Sequence, residues 1–184
     1  MAPEMYSLIA VFVAAVAFVV YRSLIGAHEY RKFHGTMLVN CPENQQTVAV
    51  DVASARAALT AMFGKEYVEL NQCTRWPEKE DCDQGCLRDI QAAPEQHSVW
   101  GIATRWYEGR TCVYCHRTIA PLSHLDHPPA LISFDGKIVE WKGVQPERLP
   151  DTLSAAQPVC WNCSVIEGFR REHPELVTDR CREH

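Results

Sequence analysis

Two stretches decide how this chain folds: Cys112-Val113-Tyr114-Cys115-His116 and, with 44 residues between Cys115 and Cys160, Cys160-Trp161-Asn162-Cys163. Two residues between a pair of cysteines let both thiolates point into one tetrahedral site, with metal–sulfur bonds of about 2.3 Å. Two such pairs supply four ligands, enough to close a zinc site. Between them lie the apolar runs Ala130 to Phe134 and Lys137 to Trp141, separated by Asp135-Gly136. An Asp-Gly pair so flanked predicts a β-hairpin. A loop containing Pro146, Pro150 and Pro158 follows, and the second pair runs directly into Ser-Val-Ile-Glu-Gly-Phe-Arg-Arg-Glu (164–172), a helix that Pro174 ends.

A cysteine knuckle, a hairpin, and a second Cys-x-x-Cys at the start of a helix resemble treble-clef zinc fingers, over about residues 111–172. The resemblance is to a fold group. It implies zinc and an architecture, and no activity. The same residues permit a rival assignment, because Cys112 to His116 also matches the Cys-x-x-Cys-His attachment site of c-type haem, with His116 as iron ligand and His124 or His127 as a second axial ligand. Haem attachment belongs to the exported side of a membrane, and it leaves Cys160 and Cys163 without a role. A disulfide or a rubredoxin-like iron site stays open. A thioredoxin-type redox pair lacks the preceding strand and the βαβ context. Otherwise His116, His124 and His127 are loop histidines, and Trp100, Trp106, Trp141 and Trp161 are core aromatics.

Upstream, the chain reads as a small ββαβ unit. Met37 to Asn40 and Thr47 to Val52 form two short strands around the turn Cys41-Pro42-Glu43-Asn44, Ala53 to Phe63 is a helix stopped by Gly64, and Tyr67 to Leu70 is a third strand. Asp81 caps a further helix running to about Ala93, which places Cys82 and Cys86 one turn apart on one face. Ser98 caps another, with Val99, Ile102, Ala103 and Trp106 inward and Gly109 closing it. Cys41, Cys73, Cys82 and Cys86 are then a second set of four, able to hold a second zinc or an iron–sulfur cluster, to form two disulfides, or to pack as core thiols. A shared zinc would bring their sulfurs within about 4 Å of one another. Cys181 remains as a free exposed thiol.

At the N-terminus, Tyr6 to Tyr21 carries no charge, and the apolar run continues past Arg22 to Ala27. Roughly 20 residues suffice to cross a hydrocarbon core of about 30 Å if the Arg22 head snorkels. The start Met1-Ala2-Pro3-Glu4-Met5 lacks the basic region of a cleaved signal peptide, so a retained anchor is expected. Arg22, Arg31 and Lys32 all follow the span, which orients the rest of the chain toward the cytoplasm. Thiols stay reduced there, which favours metal over disulfides for the nine cysteines.

The expected organisation is α+β: a transmembrane helix (1–27), a cysteine-containing region with the ββαβ unit and connecting helices (28–109), and a treble-clef-like zinc module (110–184). A net charge of −5 without a basic cluster argues against nucleic acid as a partner. No nucleophile–base arrangement, phosphate loop or His-Glu-x-x-His helix appears, and a zinc bound by four cysteines has no open position for water. The chain is therefore read as a single-pass membrane protein without a catalytic site, a structural subunit or assembly factor that meets the bilayer and a protein partner in a membrane complex. The alternative is a membrane-anchored electron carrier.

Overall fold

The apolar N-terminal run and the mixed sequence after it form one uninterrupted helix in the computed structural model, which describes residues 3–76, 78, 82–124 and 126–176. This helix, α1, spans Pro3–Phe33, about 46 Å at 1.5 Å per residue. Its stretch Tyr6–Phe33 contains an 18-residue window with a mean hydropathy of 2.4 and is long and apolar enough to cross a membrane, a test that an N-terminal signal sequence also passes. The side chains of Leu8, Phe12, Val16 and Val20 are exposed along it, with no protein packed on them to satisfy their apolar character. The last turns differ. Phe33 is buried, and at Gly26 an added Cβ would lie 2.7 Å from Cγ of Met62. The C-terminal turns of α1 thus pack on the helix that carries Met62.

The chain divides into two units, Met1–Val99 and Trp100–His184. In the first, β1 (Thr36–Asn40) and β2 (Thr47–Val52) pair antiparallel, α2 (Ser54–Met62) follows, and β3 (Leu70–Cys73) pairs with the other edge of β2. Met37, Val39, Val48 and Val50 from the sheet bury against Phe33, Ala57 and Ile90. Gly64, at φ +77°, terminates the α2 segment where expected, its N–H donating to the Ala61 carbonyl. The third strand starts at Leu70 instead of Tyr67, because the ladder aligns Leu70 with Val52 and Cys73 with Val50 across an irregularity at Asp51/Val52. Cys73 is therefore the last residue of a strand.

The helix expected from Asp81 to Ala93 is much shorter. Asp81 lies outside the described residues, and α3 covers only Leu87–Ala92, followed by α4 (Pro94–His97). Gln84 takes a left-handed φ of 55°, which a helix cannot accommodate. Cys82 and Cys86 consequently do not share a helix face.

The second unit holds most of α5 (Val99–Tyr107) and a second antiparallel sheet, in which β4 (Ala130–Ile132) lies between β5 (Ile138–Glu140) and β6 (Gln157–Val159). The β4–β5 hairpin turns where predicted, with Gly136 at φ +76° and its N–H donating to the Ser133 carbonyl. The buried side of α5 carries Ala103 and Tyr107, while Val99, Ile102 and Trp106 are only half-buried. Tyr107 is buried because its hydroxyl has a partner: it donates to the Ala130 carbonyl at 2.9 Å. Leu149 and Leu153 of α6 (Leu149–Ala155) are also buried. Trp141 is a core residue as expected, whereas Trp161 is exposed at the start of α7 (Trp161–Glu172).

Candidate metal centre

Cys112 sits in a tight turn between Thr111 and Thr118, which face each other across an isolated β-bridge. Its N–H donates to the Arg117 carbonyl, and its carbonyl accepts from the N–H of His116, which has φ 58°. The turn aims Cys112 and Cys115 the same way. Val113 N–H donates to the Pro158 carbonyl on β6, so the turn is fastened to the strand that delivers the second pair. Cys160 follows β6 as the N-terminal cap of α7, in extended conformation, and Cys163 lies in the first turn of that helix.

The consequence is convergence. The Sγ atoms of Cys112, Cys115, Cys160 and Cys163 all lie within 4.8 Å of one another, as a metal site requires. Cys115 Sγ and Cys160 Sγ are 3.7 Å apart, close to the sulfur–sulfur edge of about 3.8 Å that tetrahedral zinc–thiolate bonds of about 2.3 Å produce. The eight described cysteines are all free thiols, so this approach is not a disulfide.

The surroundings favour at least one thiolate. Burial pushes the Cys112 thiol up, but N–H groups of Cys115, Cys160 and Tyr114 pointing at its sulfur outweigh that and bring it to about 6. Burial holds Cys160 and Cys163 above the ordinary thiol value, and for Cys163 the neighbouring thiols add to the effect. Four soft donors at this spacing fit zinc or another thiophilic ion.

His116 is exposed beside the turn, while His124 stacks on Trp100 at 3.8 Å and His127 stacks on Trp161 at 4.2 Å, both exposed. None of the three joins the four-sulfur group.

The upstream set behaves differently. Cys41, Cys73, Cys82 and Cys86 all line one small cavity of about 20 Å³. Among the described residues, however, they do not close to the 4.8 Å spacing of the C-terminal four, so the tight cluster expected for a shared zinc is not formed in this geometry. Cys82 lies in an irregular segment, its sulfur 3.4 Å from the Gln84 N–H. Burial raises the Cys86 thiol to about 11, with the charges of Cys82, Cys73 and Cys41 adding to it. For Cys41 burial also acts upward, but N–H groups of Glu43 and Asn44 together with Arg75 prevail and lower it. Arg75 went unnoticed in the sequence; its guanidinium reaches Cys41 Sγ at 3.0 Å and the Glu43 carboxylate at 2.9 Å. Its place two residues after Cys73 is the only signal the sequence holds for it. Cys181 lies outside the described residues.

Comparison with protein-family models, with curated proteins and with solved structures finds no match.

Proposed function

We propose that this chain is a single-pass, membrane-anchored zinc protein with a structural or interaction role, whose C-terminal zinc module is of treble-clef type and docks on a protein partner in a membrane complex. The observation that carries the reading is the gathering of Cys112, Cys115, Cys160 and Cys163 within 4.8 Å. Its energetic counterpart is α7, which buries none of its residues. Its most covered residues, Cys163, Ser164, Glu167 and Gly168, are only half-buried, so little packing holds the helix and a metal bound through Cys160 and Cys163 supplies the attachment. Four thiolates fill the tetrahedral shell and leave no position for a reacting water.

Interaction is supported by the other face of the same helix. Trp161, Val165, Ile166 and Phe169 are all exposed and lie within one arc of α7. The basic residues Arg22, Arg31 and Lys32 after the span support a cytoplasmic head. Haem at Cys112, Cys115 and His116 fits the geometry poorly, because thioether attachment needs both sulfurs directed at a porphyrin, whereas these meet Cys160 and Cys163.

Metal analysis of the full chain purified in detergent tests the reading. A colourless protein in which Cys160→Ser loses the C-terminal zinc is the expected result; covalent haem would overturn it. A C-terminal alkaline phosphatase fusion that is inactive in cells supports the cytoplasmic head, and an active one refutes it.

A further inference from the structure

The turn at Cys41 repeats the turn at Cys112 bond for bond. In the latter, Cys112 N–H donates to the Arg117 carbonyl at 2.9 Å and His116 N–H to the Cys112 carbonyl at 2.9 Å, with His116 at φ 58°. In the former, Cys41 N–H donates to the Gln46 carbonyl at 2.9 Å and Gln45 N–H to the Cys41 carbonyl at 2.8 Å, with Gln45 at φ 59°. The acceptor, the donor and the left-handed residue fall at the same offsets from the cysteine. Even the N–H groups aimed at sulfur correspond, from Glu43 and Asn44 in one turn and from Tyr114 and Cys115 in the other. The side chains differ throughout, and the difference that bears on metal is that Asn44 stands where the other turn has Cys115. Nothing in the sequence of Cys-Pro-Glu-Asn-Gln-Gln announces a metal knuckle, yet the backbone has adopted one.

A knuckle that gives one sulfur needs three more, and three more line the same cavity. Cys73 comes from the end of β3, Cys86 from the residue before α3, and Cys82 from the irregular segment between them. The cavity, at about 20 Å³, has room for an ion or a single water and for nothing larger. Cys73 ends β3 and Cys41 directly follows β1, while Cys82 belongs to no helix or strand. Arg75, already bonded to Cys41 Sγ, is placed to offset the negative charge of a four-thiolate site.

We propose that Cys41, Cys73, Cys82 and Cys86 form a second zinc site, completed when the ion draws Cys82 and Cys86 toward the Cys41 knuckle and each thiol that binds releases its proton to solvent. The site lies in the N-terminal unit and does not depend on the C-terminal one.

The test is metal stoichiometry of the full chain in detergent, loaded with Zn²⁺ and, in parallel, with Co²⁺ to report tetrahedral thiolate ligation. The expected count is two ions for the wild type, one for Cys86→Ser and one for Cys160→Ser, since each variant spares the other site. Because Cys86 is buried and its loss could unfold the unit, a rescue is decisive: Cys82→Ser should bind one ion, and Cys82→Ser combined with Asn44→Cys should bind two again, with the new sulfur in the position Cys115 holds in the other turn. A wild type that binds one ion, lost in Cys160→Ser and kept in Cys86→Ser, overturns the second site and leaves the C-terminal one intact. Acid-labile sulfide with visible absorption also overturns it, in favour of a cluster.

Discussion

Cys115 Sγ stands 3.7 Å from Cys160 Sγ although 45 positions of chain separate the two residues. Closing so long a loop costs entropy, and four thiolates at such distances repel one another unless a cation lies between them. The contact is therefore the place where the C-terminal unit is most dependent on metal.

Replacing Cys160 or Cys112 by serine should release the ion and detach α7, since no residue of that helix is buried. Zinc binding in small fingers contributes roughly 10–16 kcal/mol of apparent folding free energy, more than a small domain's usual stability. His116→Ala should be mild, because this exposed histidine stands outside the sulfur group. Metal content and limited proteolysis of the three variants check this together. Equal damage from His116→Ala and Cys160→Ser would remove support for the four-cysteine assignment.

Affinity should fall as pH falls. Burial holds the Cys160 and Cys163 thiols above their ordinary value, so both carry protons at neutral pH and the metal must displace them. Each displaced proton makes the binding constant drop about tenfold per pH unit, so these two thiols alone contribute about a hundredfold. Cys112, which burial raises but the backbone N–H groups bring to about 6, is already ionised at neutral pH. Below its value it too must lose a proton, and the slope steepens by about a further tenfold per unit. Chelator competition across this range reads the slope directly, and a flat profile would contradict the assignment.

Tyr107→Phe should destabilise the C-terminal unit by about 1–2 kcal/mol without changing its metal content. The hydroxyl lost is buried and donates to the Ala130 carbonyl on β4, and Tyr107 is not a member of the four-cysteine group. Denaturant titration of the zinc-loaded protein measures the first effect and metal analysis the second.

How much of this was legible in the sequence differs between the two metal-ligand sets. The Cys112/Cys115 and Cys160/Cys163 pairs carry their geometry locally, since two intervening residues already aim the sulfurs, and Asp135-Gly136 marks the hairpin that brings the pairs together. The upstream cysteines have no such local code. Their convergence comes from sheet pairing, which sets Cys73 opposite Val50, and from a turn whose shape depends on Gln45 adopting φ 59°, a conformation that glutamine does not advertise. The helix expected from an Asp81 cap to Ala93 is shortened for a related reason: Gln84 takes a left-handed φ of 55°, which nothing in its sequence announces, and the helix begins only at Leu87. On α5 the expected inward residue Ala103 is buried, but Tyr107 joins it in place of Trp106, because its hydroxyl finds the Ala130 carbonyl.

The exposed face of α7 should matter for association and not for folding. Phe169 is 50% exposed and Ile166 51% exposed, so Phe169→Asp and Ile166→Asp remove little buried apolar surface and should shift stability by no more than about 0.5 kcal/mol. Both positions lie on the arc that includes Trp161 and Val165, away from the sulfurs of Cys160 and Cys163 at the start of the helix, so metal content should also be unchanged. A docking face in a membrane complex responds differently, because a charge placed in a desolvated apolar contact costs several kcal/mol. The size of the complex extracted in mild detergent, followed by sedimentation, should therefore fall to that of the free chain in Phe169→Asp. Arg170→Ala serves as the control: its guanidinium pairs with Glu167 on the same helix, and its removal leaves the apolar arc intact. If Phe169→Asp and Arg170→Ala sediment alike, both with the wild-type complex, the apolar face of α7 is not what holds the partner.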